Sequence, residues 1–440
     1  MSASKLDSKY LLRSFDENRE FLDKRYSENL EKYRKGSFTL RFDGEGERRI
    51  TVKQTKHKFL FGCNAFMLGC FETPEKEPEY RRLFAKLFNQ AVVPFYWKDL
   101  EPTEGRLRFH ADAEPIYRRP APDIVLDFCR EYDIEPKGHC LTWQHSNPDW
   151  LAKYSDDEKK RILERRFAEI ASEYEGKIPS FDILNESPSH YNIGRKALFE
   201  GYDEYGLMLG GKYFKNSIKI ANETNTGLWP SYAYSGKYML FNVHVRDWLN
   251  KGYAIDELGL QFHMFNREDD LANNKKTFAS TLDVENHIGV LDTIGEFGLP
   301  MHLSEITIPS YCGRIPENLE FQERLVTEYY KIWFATPNMK SIVWWNLVDG
   351  YAAYAERNSS DGENYYGGGL VNYDMTEKPA YAALDRLING EWKTNITDKT
   401  AGSEFTFRGF YGDYEITIED ANGVRTETVS LREDGSVASL

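Results

Sequence analysis

The chain lacks most of the features that announce a metal, a cofactor or a membrane. Its five cysteines, Cys63, Cys70, Cys129, Cys140 and Cys312, are odd in number and form no Cys-x-x-Cys pair. That argues against a disulfide framework or a thiolate zinc site and predicts reduced, mostly buried thiols. The nine histidines show no His-x-His, His-x-x-x-His or His-Glu-x-x-His spacing, so neither a catalytic metal nor any other cofactor is expected. No Gly-rich loop joins a strand to a helix in the order that phosphate and dinucleotide sites need. No run approaches the roughly 18 apolar residues of a membrane span, and the leading Met-Ser-Ala-Ser-Lys-Leu-Asp has no apolar signal region. The chain as written is expected in the cytoplasm, or secreted if a leader has been removed from it. Positive charge is also short: 56 Lys and Arg face 70 Asp and Glu, a formal charge of −14. Nucleic acid is thereby disfavoured as a partner and a neutral or cationic ligand is expected. Nothing in the sequence sets an oligomeric state.

Aromatic residues are plentiful, at 15% with 28 Tyr, 27 Phe and 9 Trp, and their faces suit stacking on sugar rings as well as filling a core. Residues 5–35 repeat Leu11, Leu12, Phe15, Phe21, Leu22, Tyr26, Leu30 and Tyr33 at helical spacing. Alternation at Phe38, Leu40, Phe42, then Ile50 and Val52, around Asp43-Gly44-Glu45-Gly46, predicts a β-hairpin. Eight short apolar runs follow, at 58–63, 91–96, 135–141, 180–185, 217–222, 258–263, 300–305 and 341–347, alternating with amphipathic segments. Helices are expected at 156–175, where Ser155 and Glu158 could form a capping box, at 317–335 and near 377–389. That alternation is the pattern of repeated βα units, and eight of them fit a closed (β/α)8 barrel better than an open doubly wound sheet. After the last helix come strands at 404–410, 414–419 and 426–431, with Asn422-Gly423 between the last two. The expected organisation is an N-terminal helix and hairpin over 1–57, a barrel over 58–390 and a small β appendage over 391–440, with both β extensions serving as plugs or as polysaccharide contacts.

The predicted strand tips are loaded: His139, Asn185 with Glu186, Asn222, Gln261 with His263, Glu305, and Trp344 with Trp345. A lone strand-end glutamate is usually a helix cap or an ion-pair partner. Six polar or aromatic tips on one barrel mouth would be costly unless they converge on a ligand. Glu186 and Glu305 each end an apolar run where barrel active sites are built. The chemistry most often run by such a pair is glycoside hydrolysis.

The same segments resemble glycoside hydrolase family 10, the endo-1,4-β-xylanase family, over about 38–390. Leu-Glu-Pro-Thr-Glu-Gly (100–105), Gly-His-Cys-Leu-Thr-Trp (138–143) with Pro148-Asp149-Trp150-Leu151, Phe-Asp-Ile-Leu-Asn-Glu (181–186), Asn222-Glu223-Thr224-Asn225, Gly-Leu-Gln-Phe-His (259–263), Ser304-Glu305-Ile306 and Lys378-Pro379-Ala380-Tyr381 follow the family's motifs in order. The resemblance implies a retaining mechanism on xylan or xylo-oligosaccharides, with Glu305 as nucleophile, His263 orienting it, and Glu186 as acid/base. It further implies that Asn185 holds a sugar hydroxyl, that Asn222 and Gln261 belong to the site, and that His139, Trp143 and Trp345 line the central sugar position.

Three segments depart from the pattern. Pro94-Phe95-Tyr96-Trp97-Lys98 stands where the family has Pro-Glu-Asn-x-Met-Lys-Trp, with Lys98 a partial stand-in for the sugar-gripping lysine. Gln144 replaces a histidine, and Trp345-Asn346-Leu347-Val348-Asp349 replaces Trp-Gly-x-x-Asp. All of these touch sugar binding and none touches the carboxylates. Other readings therefore remain: the same mechanism retuned to another β-glycan, or a non-catalytic carbohydrate-binding barrel. The loop 357–369, rich in Gly and Asn, is a candidate lid or a plain solvated loop.

Overall fold

The computed structural model describes residues 8–190, 198–268, 280–311 and 316–440. Cys312 lies outside them; Cys63, Cys129 and Cys140 are free and buried, and Cys70 is free and partly buried. Helical segments run from Ser8 to Arg34 and pack Phe15 edge-on against Tyr329, ring centres 5.3 Å apart. Arg19 grips Glu328 through two hydrogen bonds of 2.6 and 3.1 Å, so this leading segment is fastened to the barrel helix Pro316–Phe334.

Two strands follow, β1 (Lys35–Arg41) and β2 (Arg48–His57), and then the eight of a closed barrel. These are β3 (Leu60–Asn64), β4 (Gln90–Pro94), β5 (Glu135–Thr142), β6 (Ser180–Asn185), β7 (Ile218–Glu223), β8 (Glu257–His263), β9 (Met301–Thr307) and β10 (Met339–Trp344). Neighbours are parallel, and β10 closes on β3. Each apolar run read from the sequence supplies one of them. Every residue of β4, β6 and β9 is buried, because helices cover the outside of the barrel while side chains fill its interior. The helix Asp156–Tyr174 opens with the capping box of Ser155 and Glu158 and buries Leu163, Phe167 and Ile170.

The strands after the barrel are β11 (Asn395–Thr400), β12 (Glu404–Phe410), β13 (Gly412–Asp420), β14 (Gly423–Leu431) and β15 (Ser436–Ser439). β13 and β14 form the hairpin expected at Asn422-Gly423. The hairpin expected of β1 and β2 does not form. β1 lies between β12 and β15 in one sheet, while β2 lies between β11 and β13 in another. Their apolar faces, Phe38 and Leu40 on β1 and Ile50 and Val52 on β2, meet across a shared core with Phe407 and Ile416. The alternation was real, but it turns the two strands face to face between sheets instead of edge to edge. The regions before and after the barrel therefore build one small β-sandwich. Among the described residues no helix is long and apolar enough to cross a membrane.

Candidate active site

Parallel strands in a closed barrel deliver all their C-terminal ends to one mouth, and there the structure gathers the predicted residues around a cavity of about 420 Å³. Glu305, on β9, is only 4% exposed. Its Oε1 accepts from Asn222 Nδ2 at 2.8 Å and from Gln261 Nε2 at 2.9 Å, and its Oε2 faces His263 Nε2 at 3.3 Å. A break in register between Leu260 and Gln261 sets Gln261 opposite Glu305 on the neighbouring strand. Asn222 also donates to Asn185 Oδ1 at 2.7 Å, which leaves the Asn185 amide nitrogen for the cavity. Gly259 makes this possible, since a Cβ there would collide with the Asn222 side chain.

Glu186 follows the last residue of β6 in a left-handed conformation, φ 55°, held by its N–H donating to Asn222 O at 2.8 Å. Such backbone costs a non-glycine residue energy and is found where a side chain must be aimed. Trp143 Nε1 donates to Glu186 Oε2 at 3.0 Å, and Gln261 Nε2 donates to its Oε1 at 2.8 Å. Gln261 thus holds both carboxylates from one nitrogen. Those two oxygens can stand no further apart than 2.8 Å plus 2.9 Å.

Burial pushes the Glu305 carboxyl up; the His139 charge pulls it back, and the neighbouring Glu186 adds to the rise. His139 Nδ1 bonds Asp182 Oδ2 at 2.7 Å, which turns Nε2 toward Glu305 Oε1 at 3.8 Å. Burial works to raise Asp182, but the Lys137 ammonium at 2.8 Å and the His139 ring outweigh it and hold Asp182 below the ordinary range. Burial lowers His263 to about 4. A neutral ring that accepts from the Thr307 hydroxyl at Nδ1, 2.9 Å away, carries its proton on Nε2 and presents it to Glu305.

Trp345 stands edge-on to His139, ring centres 5.3 Å apart, and gives the cavity an apolar wall. His139, Trp143, Asn185, Glu186, Gln261, His263, Glu305 and Trp345 all line the space, with Asn222 bonded beneath them. Lys98 does not join them. It is exposed on the short helix Trp97–Leu100 and outside the cavity, because the buried Trp97 is anchored to Glu101 at 2.9 Å and Tyr96 takes the wall position instead. Sequence reasoning missed Arg118, Arg119, Tyr354 and Glu363, which also line the cavity. No motif marks them; Glu363 belongs to the loop singled out at 357–369. Among the described residues no group of three or more His, Cys, Asp or Glu is arranged to hold a metal ion.

The family model of glycosyl hydrolase family 10 matches residues 56–386. The chain is 26% identical, over 83% of its length, to the anti-sigma-I factor RsgI6 of Acetivibrio thermocellus, of which it covers 41%. It is 23% identical over 68% of its length to endo-1,4-beta-xylanase B of Thermotoga neapolitana, covering 79% of that enzyme. It is 21% identical over 91% of its length to endo-1,4-beta-xylanase 3 of Arabidopsis thaliana, covering 48%. The chain therefore spans less than half of two of these three relatives. Among solved structures, xylanase 10B of Thermotoga maritima superposes with a TM-score of 0.58 at 19% identity, over 76% of this chain and 96% of that one. The xylobiose complex of xylanase 10B from Thermotoga petrophila gives 0.59 at 18%, over 76% and 95%. These structures share the barrel fold.

Proposed function

The chain belongs to glycosyl hydrolase family 10, and from that premise we propose that it is a retaining β-glycosidase acting on β-1,4-linked xylan or xylo-oligosaccharides. The observation that carries this reading is the Gln261 amide shared between Glu186 and Glu305. It keeps the carboxylates near the separation of about 5–5.5 Å that direct attack needs, and below the roughly 6.5–9.5 Å that would leave room for an intervening water.

In this mechanism a Glu305 oxygen attacks the anomeric carbon as the glycosidic C–O bond breaks, and Glu186 gives its proton to the departing oxygen. Sugar and Glu305 are then joined as an ester. Loss of the Glu305 charge lowers the proton affinity of Glu186, which now takes a proton from water as that water attacks the same carbon. Sugar leaves with its original anomeric configuration, and both carboxyl groups are restored. Asn185 offers its amide to the sugar hydroxyl next to the anomeric carbon, a bond that strengthens as positive charge develops there. Trp345 supplies the stacking face.

The test is hydrolysis of aryl β-xyloside, xylobioside, glucoside, cellobioside and arabinoside by the wild type, Glu305→Ala and Glu186→Ala, with the anomer of the first product followed by NMR. Xylobioside cleavage with a β product, abolished in Glu305→Ala, is expected. An α product would overturn the retaining assignment, preference for another glycoside would move the substrate, and no cleavage of any glycoside would leave a carbohydrate-binding barrel.

A further inference from the structure

At two positions where the chain leaves the family's pattern, Tyr96 in the cavity wall and Asn346 outside it, the side chain contacts a guanidinium that lines the cavity. Arg118 Nη2 donates to Asn346 Oδ1 at 2.8 Å. Arg119 lies over the Tyr96 ring, 4.1 Å from its centre, with Phe66 at 5.3 Å. Both arginines line the cavity that contains Glu186 and Glu305.

Arg118 is 5% exposed, makes no ion pair among the described residues, and leaves its buried Nε without a hydrogen-bond partner. It also sits at φ 60°, in the tight turn bridged by Ile116 and Arg119, a left-handed conformation that is uncommon for a residue with a side chain. Arg119 is only half committed: Nε donates to Asp99 at 2.9 Å and Nη1 to the Arg118 carbonyl at 2.9 Å, while Nη2 makes no hydrogen bond among the described residues. Asp99 is an ion-pair partner for Arg119, whereas no carboxylate among the described residues forms an ion pair with Arg118. Glu186 and Glu305 are held by Trp143, Gln261 and Asn222. Glu363, which also lines the cavity, acts on Arg118 through its charge but forms no ion pair with either guanidinium. A buried, unpaired cation is expensive, and a ligand that brings the missing anion would offset the cost. The planar fork of a guanidinium matches a carboxylate in particular.

We propose that this wall is a carboxylate subsite: the glycan cleaved here carries a uronic acid, as a chain unit or a side group, whose carboxylate is held by Arg118 and Arg119 on the β4 side of the catalytic pair. This rests on the glycosidase reading and narrows its substrate class. It also revises the expectation of a neutral or cationic ligand, since the net charge of the whole chain says nothing about one wall of one cavity. With −14 overall, the protein offers an acidic glycan little long-range attraction, and recognition must come from contact.

The experiment compares an acidic xylo-oligosaccharide bearing one uronosyl group with the same oligosaccharide after its carboxyl is reduced to the alcohol. Binding to the full-length Glu305→Gln protein is measured by calorimetry, and cleavage by the wild type as kcat/KM. The acidic form is expected to bind and react about tenfold to a hundredfold better, the range for hydrogen bonds to a charged group, and that ratio should fall toward one in Arg118→Met and in Arg119→Met. Equal treatment of the two forms by the wild type, a ratio that both variants leave untouched, or binding of neither form overturns the subsite. The wild-type comparison needs no variant to fold. The two proposals fail separately: binding of the acidic form without cleavage of either refutes the hydrolase and keeps the subsite, whereas equal cleavage of both refutes the subsite and keeps the hydrolase.

Discussion

Replacing Gln261 with leucine removes one nitrogen and two hydrogen bonds, at 2.8 Å to Glu186 and 2.9 Å to Glu305. Both bonds favour the ionised carboxylates, so their loss must raise the proton affinity of each. A hydrogen bond to a charged group contributes about 1.5–3 kcal/mol, and about 1.36 kcal/mol corresponds to one pKa unit. Glu305 should therefore become harder to ionise by about one to two units, with Asn222 and His263 still supporting it. On an aryl glycoside whose leaving group needs no proton, kcat/KM below its optimum follows the ionisation of Glu305 alone. The acid limb of that profile should move up by the same one to two units in Gln261→Leu, with the plateau also lowered. An acid limb that stays in place while the rate falls would refute the reasoning and make Gln261 a substrate contact only.

Two further outcomes follow from burial. Glu305 has its proton affinity raised on folding, so the folded state holds that proton more tightly than the unfolded chain. Its contribution to stability is intact below the ordinary carboxylate value of 4.5 and is lost progressively as pH rises above it. Glu305→Gln should then melt higher than wild type at pH 8 by more than it does at pH 5, read by calorimetry; a difference constant with pH would contradict this. Ile416, fully buried in the sandwich core, should cost about 2–5 kcal/mol when cut to alanine, measured by urea unfolding. Unchanged stability would mean that the sandwich melts independently of the transition observed.

The eight barrel strands were legible because burial on both faces forces a continuous apolar run, and the tip residues were legible because a polar group at the end of such a run has few structural excuses. What stayed hidden was non-local. The alternation at Phe38 and Ile50 announces strands and their inward faces but carries no information about partners, so a nearby turn suggested a hairpin where each strand pairs with distant chain. β11 and β15 were missed because most of their residues are at least partly exposed and no apolar alternation betrays them. Lys98 was assigned by its position in a motif, and the structure leaves it exposed and outside the cavity beside the buried Trp97. Arg118 and Arg119 look like any pair of surface arginines in the sequence; the burial of Arg118, its missing counter-charge and the place of both in the cavity wall set them apart.

The sandwich also imposes an order on synthesis. The hydroxyls of Thr39 and Thr406 lie 2.8 Å apart across β1 and β12 although 367 positions separate them in the chain. At the roughly 5–20 residues per second of translation, β1 and β2 wait on the order of 20–70 s for their partners, long enough for the intervening barrel to begin forming. Throughout that interval Phe38, Leu40, Ile50 and Val52 have no core to enter, and both strands expose open edges of the kind that recruit other chains. The cations Arg41, Arg49 and Lys53, which alternate with those apolar residues, keep like strands apart by charge repulsion until β12 and β13 emerge, and so guard the nascent chain at the stage when it is most prone to aggregate.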